Sequence, residues 1–266
     1  VTPTKNLKMN LIYVVSHKLI THDIPAPCTP IYVGKAGKES HGVNDRSGIS
    51  ISEKNPFYSE LTAHYWVWKN VLPCASDEDF IGFCHYRRFF TFDIQVKKIS
   101  DLNGVEAFLF IEKNLKTPDD VILANPIKFP VKQHWFSYSQ KLRRLKYPWQ
   151  DLSLMEQYEK EHDKEDLLIA VNLLPEKIKS EFLLFLKESK SFSPFNMYIS
   201  RPHILDGYFN ILFPWLDRVE KNIEFKKRSS YQARLPGFLA ERFSSFYFSK
   251  YCNPIYTNVS FIDETR

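Results

Sequence analysis

Glycine is scarce in this 266-residue chain, at 8 residues, and neither glycine-rich phosphate loop, G-x-G-x-x-G or G-x-x-x-x-G-K-[ST], occurs. Gly34-Lys35-Ala36-Gly37-Lys38 is only a superficial echo of one, so a Rossmann dehydrogenase and a P-loop NTPase are disfavoured. Cysteine is sparse too. Cys28, Cys74, Cys84 and Cys252 are scattered with no C-x-x-C pair, which suggests neither a zinc knuckle nor a disulfide framework and points to reduced, mostly buried thiols. No apolar run approaches the ~18 residues needed to span a bilayer. The stretch Val1–Met9 lacks the charged-then-apolar layout of a secretory signal, and the expected location is the cytosol. Neither sign of charge dominates: 36 basic against 31 acidic residues leave a net +5, too little for wholesale nucleic-acid binding but compatible with a phosphate-bearing ligand.

What is present is a pattern of short buried strands alternating with helices, without internal repeats or low-complexity linkers. Leu11–Val15 reads as a first strand opening into the polar Ser16-His17-Lys18, and Ile31–Val33 as a second, followed by a long loop from Gly34 to Ser50. Asn55-Pro56 has the form of an N-cap and first helical residue, with Leu61, Tyr65, Trp68 and Leu72 at helical spacing before Pro73. Phe80–Cys84 and Val121–Ala124 read as strands buried on both faces. Residues 151–190 are helical in pattern with a break near Pro175, and Phe195–Ile199 reads as a short strand. Arg201–Asn222 is helical with a kink or break at Pro214, Pro236–Lys250 is a further helix, and Ile255–Ile262 is a closing strand. The expectation is one α/β domain over residues 1–266, with a central mixed, mostly parallel sheet and a helical C-terminal half.

In open α/β sheets ligands bind beyond the carboxyl ends of the strands. Two segments stand there: Val15-Ser16-His17 after the first strand and His85-Tyr86-Arg87-Arg88 after the most apolar one. Adjacent arginines at such an end offer permanently charged planar forks suited to a diphosphate, although neighbouring side chains in extended chain point apart and one of the two can equally be structural. Two basic clusters, Lys141-Leu142-Arg143-Arg144-Leu145-Lys146 and Lys226-Lys227-Arg228, read either as solvated surface or as a peripheral contact with anionic lipid.

The chain resembles the capsular and exopolysaccharide glycosyltransferases long filed as a domain of unknown function. The resemblance rests on Ile12–Lys18, on Ile51-Ser52-Glu53-Lys54-Asn55-Pro56 running into Glu60-Leu61-Thr62 and Tyr65–Asn70, and on Ile81–Phe89. It continues through Gln157-Tyr158, His162, Asp166-Leu167, Asn196-Met197, Tyr231-Gln232, Arg234, Gly237-Phe238-Leu239 and Glu241-Arg242. It implies a fold similar to the GT-A class and transfer of a hexose, such as galactofuranose or galactose, from a UDP-sugar to a capsular, exopolysaccharide or O-antigen glycan or a lipid-linked form of it. On that basis Val15, Ser16, His17, Lys54, His85, Tyr86, Arg87, Arg88, Asn196 and Arg234 are expected at the donor, His162 and Asp166 at the acceptor, and Glu241 as the catalytic base if the displacement inverts, inversion and retention both being open. Each acidic candidate also has a bland reading, as a surface charge pair within its helix. Where the family has Gly-Asp-Asn this chain has Gly48-Ile49-Ser50, and Phe57 stands where a polar residue is frequent.

Most GT-A enzymes hold their donor through a metal on an Asp-x-Asp pair at a strand end. His85–Arg88 takes that place here, and Asp77-Glu78-Asp79 precedes the strand instead of following it. No metal or other cofactor is therefore expected, with Asp93 the one carboxylate downstream able to reverse that. His134-Trp135-Phe136 is either a sugar-stacking surface or core. Two other classes compete: a single-stranded nucleic-acid module, which the aromatic content and positive charge allow but no motif supports, and a non-catalytic scaffold, supported only by the altered Gly48–Ser50 loop. The favoured reading has no nucleic-acid partner.

Overall fold

The computed structural model describes residues 10–21, 24, 26–92, 104–128 and 152–262. Asp93, His134-Trp135-Phe136 and the Lys141–Lys146 cluster lie outside the described residues.

The first half carries β1 (Leu11–Ser16), β2 (Cys28–Tyr32), α1 (Gly34–Glu39), α2 (Asn55–Tyr58), α3 (Leu61–Asn70), β3 (Ile81–His85), β4 (Arg88–Phe90), α4 (Gly104–Asn114), β5 (Asp120–Ala124) and β6 (Ile127–Lys128). The second half carries α5 (Leu154–Glu161), α6 (Lys164–Asn172), α7 (Glu176–Glu188), β7 (Ser191–Phe192), β8 (Tyr198–Ser200), α8 (Pro202–Asn222), α9 (Leu235–Tyr251), β9 (Asn253–Thr257) and β10 (Val259–Phe261).

The sheet is mixed and mostly parallel, as expected. Its backbone runs β2-β1-β3-β8-β5-β9, with β4 and β10 continuing from the end of β3. Only β4 and β8 run against the others. Side chains alternate between two apolar layers because successive residues of a strand face opposite sides. Tyr13, Val15, Phe83, Val121, Leu123 and Tyr198 face a large core shared with α3 and α5–α9. Ile12, Val14, Cys84, Ile122 and Ile199 face a smaller one shared with α4. Gly82 lies where the central strands meet most closely: a Cβ there would sit 2.5 Å from the Ile199 side chain.

Several boundaries depart from the sequence reading, and two of them shape the site. The helix expected to start at Asn55 breaks after Tyr58, where Ser59 takes φ 51°, and restarts as α3 with Glu60 at its N-cap. The strand expected from Phe195 begins only at Tyr198, because Phe195 and Asn196 both have positive φ, 77° and 50°. Gly34–Ser50 is not all loop, since α1 lies within it. The 151–190 region forms three helices; Ser153 and Glu156 make a capping box at the start of α5. Pro214 is accommodated inside α8 without ending it. The closing strand divides into β9 and β10 around Asn258. Among the described residues no helix is long and apolar enough to cross a membrane.

Candidate active site

The topology gathers polar residues at one edge. Strands β1, β3, β5 and β9 end there, and β8, running the other way, begins there, so its entry residues Phe195 and Asn196 meet the exits of the parallel strands. A cleft of ≈ 1030 Å³ opens at this edge. Of the residues expected at the donor, Val15, His17, His85, Tyr86, Arg87, Arg88 and Arg234 line it, as do His162 and Glu241.

One wall is cationic. Ser16 is buried and does not line the cleft; its hydroxyl donates to the Lys18 carbonyl at 2.6 Å and accepts from the Lys18 N–H at 3.1 Å, fixing the turn that carries His17. His17 packs edge-on against Tyr86, with 5.1 Å between centroids. Burial, then the charges of Lys18, Arg87 and Arg234, hold its imidazole below the usual histidine range. Both arginines of the Arg87-Arg88 pair reach the cleft, so the hairpin from β3 to β4 avoids the divergence expected of extended chain. The Arg87 guanidinium lies 5.0 Å from the Tyr86 ring and has no ion pair among the described residues. The Arg88 guanidinium lies 4.4 Å from the Phe195 ring, and its Nε is buried with no hydrogen-bond partner among the described residues. Arg234 donates from Nε to the Ser59 hydroxyl at 2.8 Å.

Of the glutamates that line the cleft, Glu60 and Glu241 lie within electrostatic reach of Arg88. Each is tied to the strained Phe195-Asn196 dipeptide. The Phe195 N–H donates to Glu241 Oε1 at 2.9 Å, and Asn196 Nδ2 donates to Glu60 Oε1 at 2.8 Å and to the Gly237 carbonyl at 3.3 Å. His85 Nε2 donates to the Phe195 carbonyl at 2.6 Å. Asn196 is thus a buried brace and does not line the cleft. Arg242 Nη1 approaches Glu241 Oε2 at 3.3 Å. Burial pushes the Glu241 carboxyl above the ordinary glutamate range, opposed by Arg242 and reinforced by the charge of Glu60.

Another wall is aromatic. His162 stacks on Phe238 with centroids 4.1 Å apart and faces Tyr231 at 5.8 Å. Its Nδ1 donates to Gln232 Oε1 at 3.2 Å. Burial, followed by the charge of Arg242, pushes its pKa down to about 3, so it is a neutral ring at physiological pH.

Besides Ser16 and Asn196, two further expected site residues, Asp166 and Lys54, lie away from the cleft lining. Asp166 does not share a helical face with His162: His162 caps the end of α5 while Asp166 lies in α6, with both carboxylate oxygens held by Arg228. Lys54 pairs with Glu220 at 2.8 Å. Glu220 also accepts from the Tyr58 hydroxyl at 2.9 Å and pairs with Lys226 at 2.5 Å, and Lys227 pairs with Glu224 at 3.0 Å. Every member of the Lys226–Arg228 cluster therefore has a carboxylate partner, which leaves little free charge there for anionic lipid. The Gly48–Ser50 loop also lies outside the cleft lining, pinned to α3 by Asn70 and by Trp66 Nε1, which donates to the Ser47 carbonyl at 2.7 Å.

The Glu220 hub makes a stability prediction. Despite the opposing effect of burial, hydrogen bonds from Lys226, Lys54 and Tyr58 bring its pKa to about 2, below the ordinary glutamate value of 4.5. A depressed carboxyl contributes stability that is present above its unfolded value and lost as pH falls through the folded one. Glu220→Gln should lower stability by about 1.5–3 kcal/mol at neutral pH, the scale of hydrogen bonds to a charged group. Denaturant titrations of the two proteins should converge as pH falls from 4.5 towards 2.

Glu60, Asn55, Ser59, Tyr231 and Phe238 also line the cleft but were not among the expected site residues. The signal for Glu60 was its place in the Asn55–Thr62 motif, obscured by reading that stretch as one continuous helix.

An α/β fold with a charged cleft at the carboxyl edge of its sheet is thus the class that the geometry defines. Residues 11–252 match the model of a family described as a domain of unknown function, DUF4422, and the chain belongs to that family. The apo structure of the WbbM bifunctional glycosyltransferase is similar in fold, with a TM-score of 0.71 and 23% identity over 96% of this chain and 45% of that one. This chain therefore spans less than half of the length of the protein it resembles. No curated protein matches it.

Proposed function

We propose that the chain is a glycosyltransferase that moves a hexose from a UDP-sugar to a hydroxyl of a capsular, exopolysaccharide or O-antigen glycan. The observation that carries this reading is the composition of the cleft, where Arg87, Arg88 and Arg234 stand together with Glu60 and Glu241. Guanidinium forks match a diphosphate and stabilise the charge that builds on it as the glycosidic bond breaks. A carboxylate in the same cleft is what an acceptor hydroxyl needs to lose its proton. The aromatic wall of His162, Tyr231 and Phe238 supplies apolar faces for a sugar ring.

The residues of the cleft do not suit a divalent cation. The strand end that would carry an Asp-x-Asp pair carries arginine, Glu60 and Glu241 already accept hydrogen bonds, and no group of three His, Cys, Asp or Glu among the described residues could hold a metal. We therefore route no step through one.

Thermal melting with UDP tests the reading. At 100 times the dissociation constant a ligand adds about 2.7 kcal/mol to apparent stability, roughly a 5–10 °C shift at this size. The shift should persist in a chelating agent. The absence of any UDP-dependent shift would overturn the proposal, and a shift that needs added manganese or magnesium would overturn its metal-free form.

A further inference from the structure

We propose that Glu60, and not Glu241, takes the proton of the acceptor hydroxyl, with Glu241 and Asn196 as positioning residues. The inference rests on the transferase reading above and assigns its reacting carboxylate.

Its first support is the backbone at Ser59. L residues rarely adopt φ 51° with ψ −128°, and such a conformation persists only where the surroundings hold it. Here they do: the Ser59 carbonyl accepts from Asn55 Nδ2 at 2.9 Å and Thr62 Oγ1 at 3.1 Å, and its hydroxyl accepts from Arg234. The break ends α2 and places Glu60 at the head of α3, on the cleft wall.

The second support is the hydrogen-bond inventory of the two carboxylates. Glu241 has both oxygens occupied, one by the Phe195 N–H and the other by Arg242. Glu60 has one oxygen fixed by Asn196, and its Oε2 has no partner among the described residues. An acid-base group needs a fixed orientation and one free oxygen, and only Glu60 has both. The third support is location. Glu60 lines the cleft close enough to His85, Arg88 and Glu241 for its charge to act on all three.

The step balances as a single displacement with inversion. The acceptor O–H proton passes to Glu60 Oε2 as the acceptor oxygen bonds to the anomeric carbon. The bond from that carbon to the diphosphate oxygen breaks, and its electron pair leaves on UDP, facing Arg87, Arg88 and Arg234. Phe195 and Asn196 set the distance between the two acids: one bonds Glu241 through its backbone, the other Glu60 through its side chain.

The test measures UDP release from a panel of UDP-hexoses in the full chain and in Glu60→Gln, Glu60→Ala, Glu241→Gln and Glu241→Ala. UDP-dependent melting shifts report separately on folding and donor binding. Glu60→Gln should keep the melting shift and lose ~10²- to 10⁴-fold in turnover, the usual contribution of a positioned base. Sodium formate, a small carboxylate able to enter the vacated space, should restore turnover to Glu60→Ala and not to Glu241→Ala. Turnover in Glu60→Gln within tenfold of the parent, or formate rescue at position 241 instead of 60, overturns the assignment while leaving the transferase reading intact. A chain that releases no UDP from any donor overturns the transferase reading itself, and this inference with it.

Discussion

Arg87→Gln is expected to weaken UDP binding by about 10- to 100-fold, the effect of losing one charge-assisted hydrogen bond of ~1.5–3 kcal/mol, while the free protein melts close to the parent. The second half of that expectation follows from the environment of Arg87. Its guanidinium rests beside the Tyr86 ring, is only partly buried and has no ion pair among the described residues, so little in the free fold depends on its charge. Arg88 is the less clean probe. It is stacked on Phe195 and lies near both Glu60 and Glu241, and its charge opposes the burial that raises the Glu241 carboxyl. Arg88→Gln should therefore lower stability as well as affinity. Calorimetric titration with UDP, paired with melting curves of the free proteins, separates the two. If Arg87→Gln binds UDP as tightly as the parent, the cationic wall is not the diphosphate site.

The carboxyl-edge segments of the site were legible in the sequence because they follow from strand burial alone. A run such as Phe80–Cys84 can only be an interior strand, and the polar residues after it then stand at a sheet edge. His17, His85, Arg87 and Arg88 were found in this way, and Arg234 and Glu241 through the motif resemblance. What could not be read was where the backbone abandons its local preference. Phe195 and Ser59 carry no glycine-like signal, yet both take positive φ: the Phe195 N–H is held by Glu241, distant in sequence, while the Ser59 carbonyl is held by the nearby Asn55 and Thr62 side chains and its hydroxyl by the distant Arg234. Local propensity gives no warning of such tertiary overrides. Glu60 was therefore read as one residue of a continuous helix, and Asn196 as part of a strand. The same reasoning explains Asp166: helical spacing predicts a shared face with His162, but the chain breaks between them at Asp163, whose side chain caps α6.

Glu241→Gln should slow turnover by about tenfold, as expected when a single bond of ~1.4 kcal/mol is weakened, and should also make the protein less sensitive to pH. The amide can still accept the Phe195 N–H, so the dipeptide stays in place, but the attraction to Arg242 and the repulsion from Glu60 are lost. The pH effect has a definite sign. Burial raises the Glu241 pKa above the ordinary glutamate value of 4.5. The folded state therefore binds this proton more tightly than the unfolded state does, which adds stability below 4.5 that disappears as pH rises through the folded value. Once ionised, the carboxylate is a burden on the fold, of the kind that functional sites keep. Groups that do not interact with Glu241, Glu220 included, titrate alike in parent and variant, so their contributions cancel in the difference between them. Denaturant unfolding from pH 4.5 to neutrality should thus show the parent losing more stability than Glu241→Gln. Parallel pH profiles would mean that Glu241 titrates alike in the folded and unfolded chains, and its burial beside Glu60 would then have no energetic consequence.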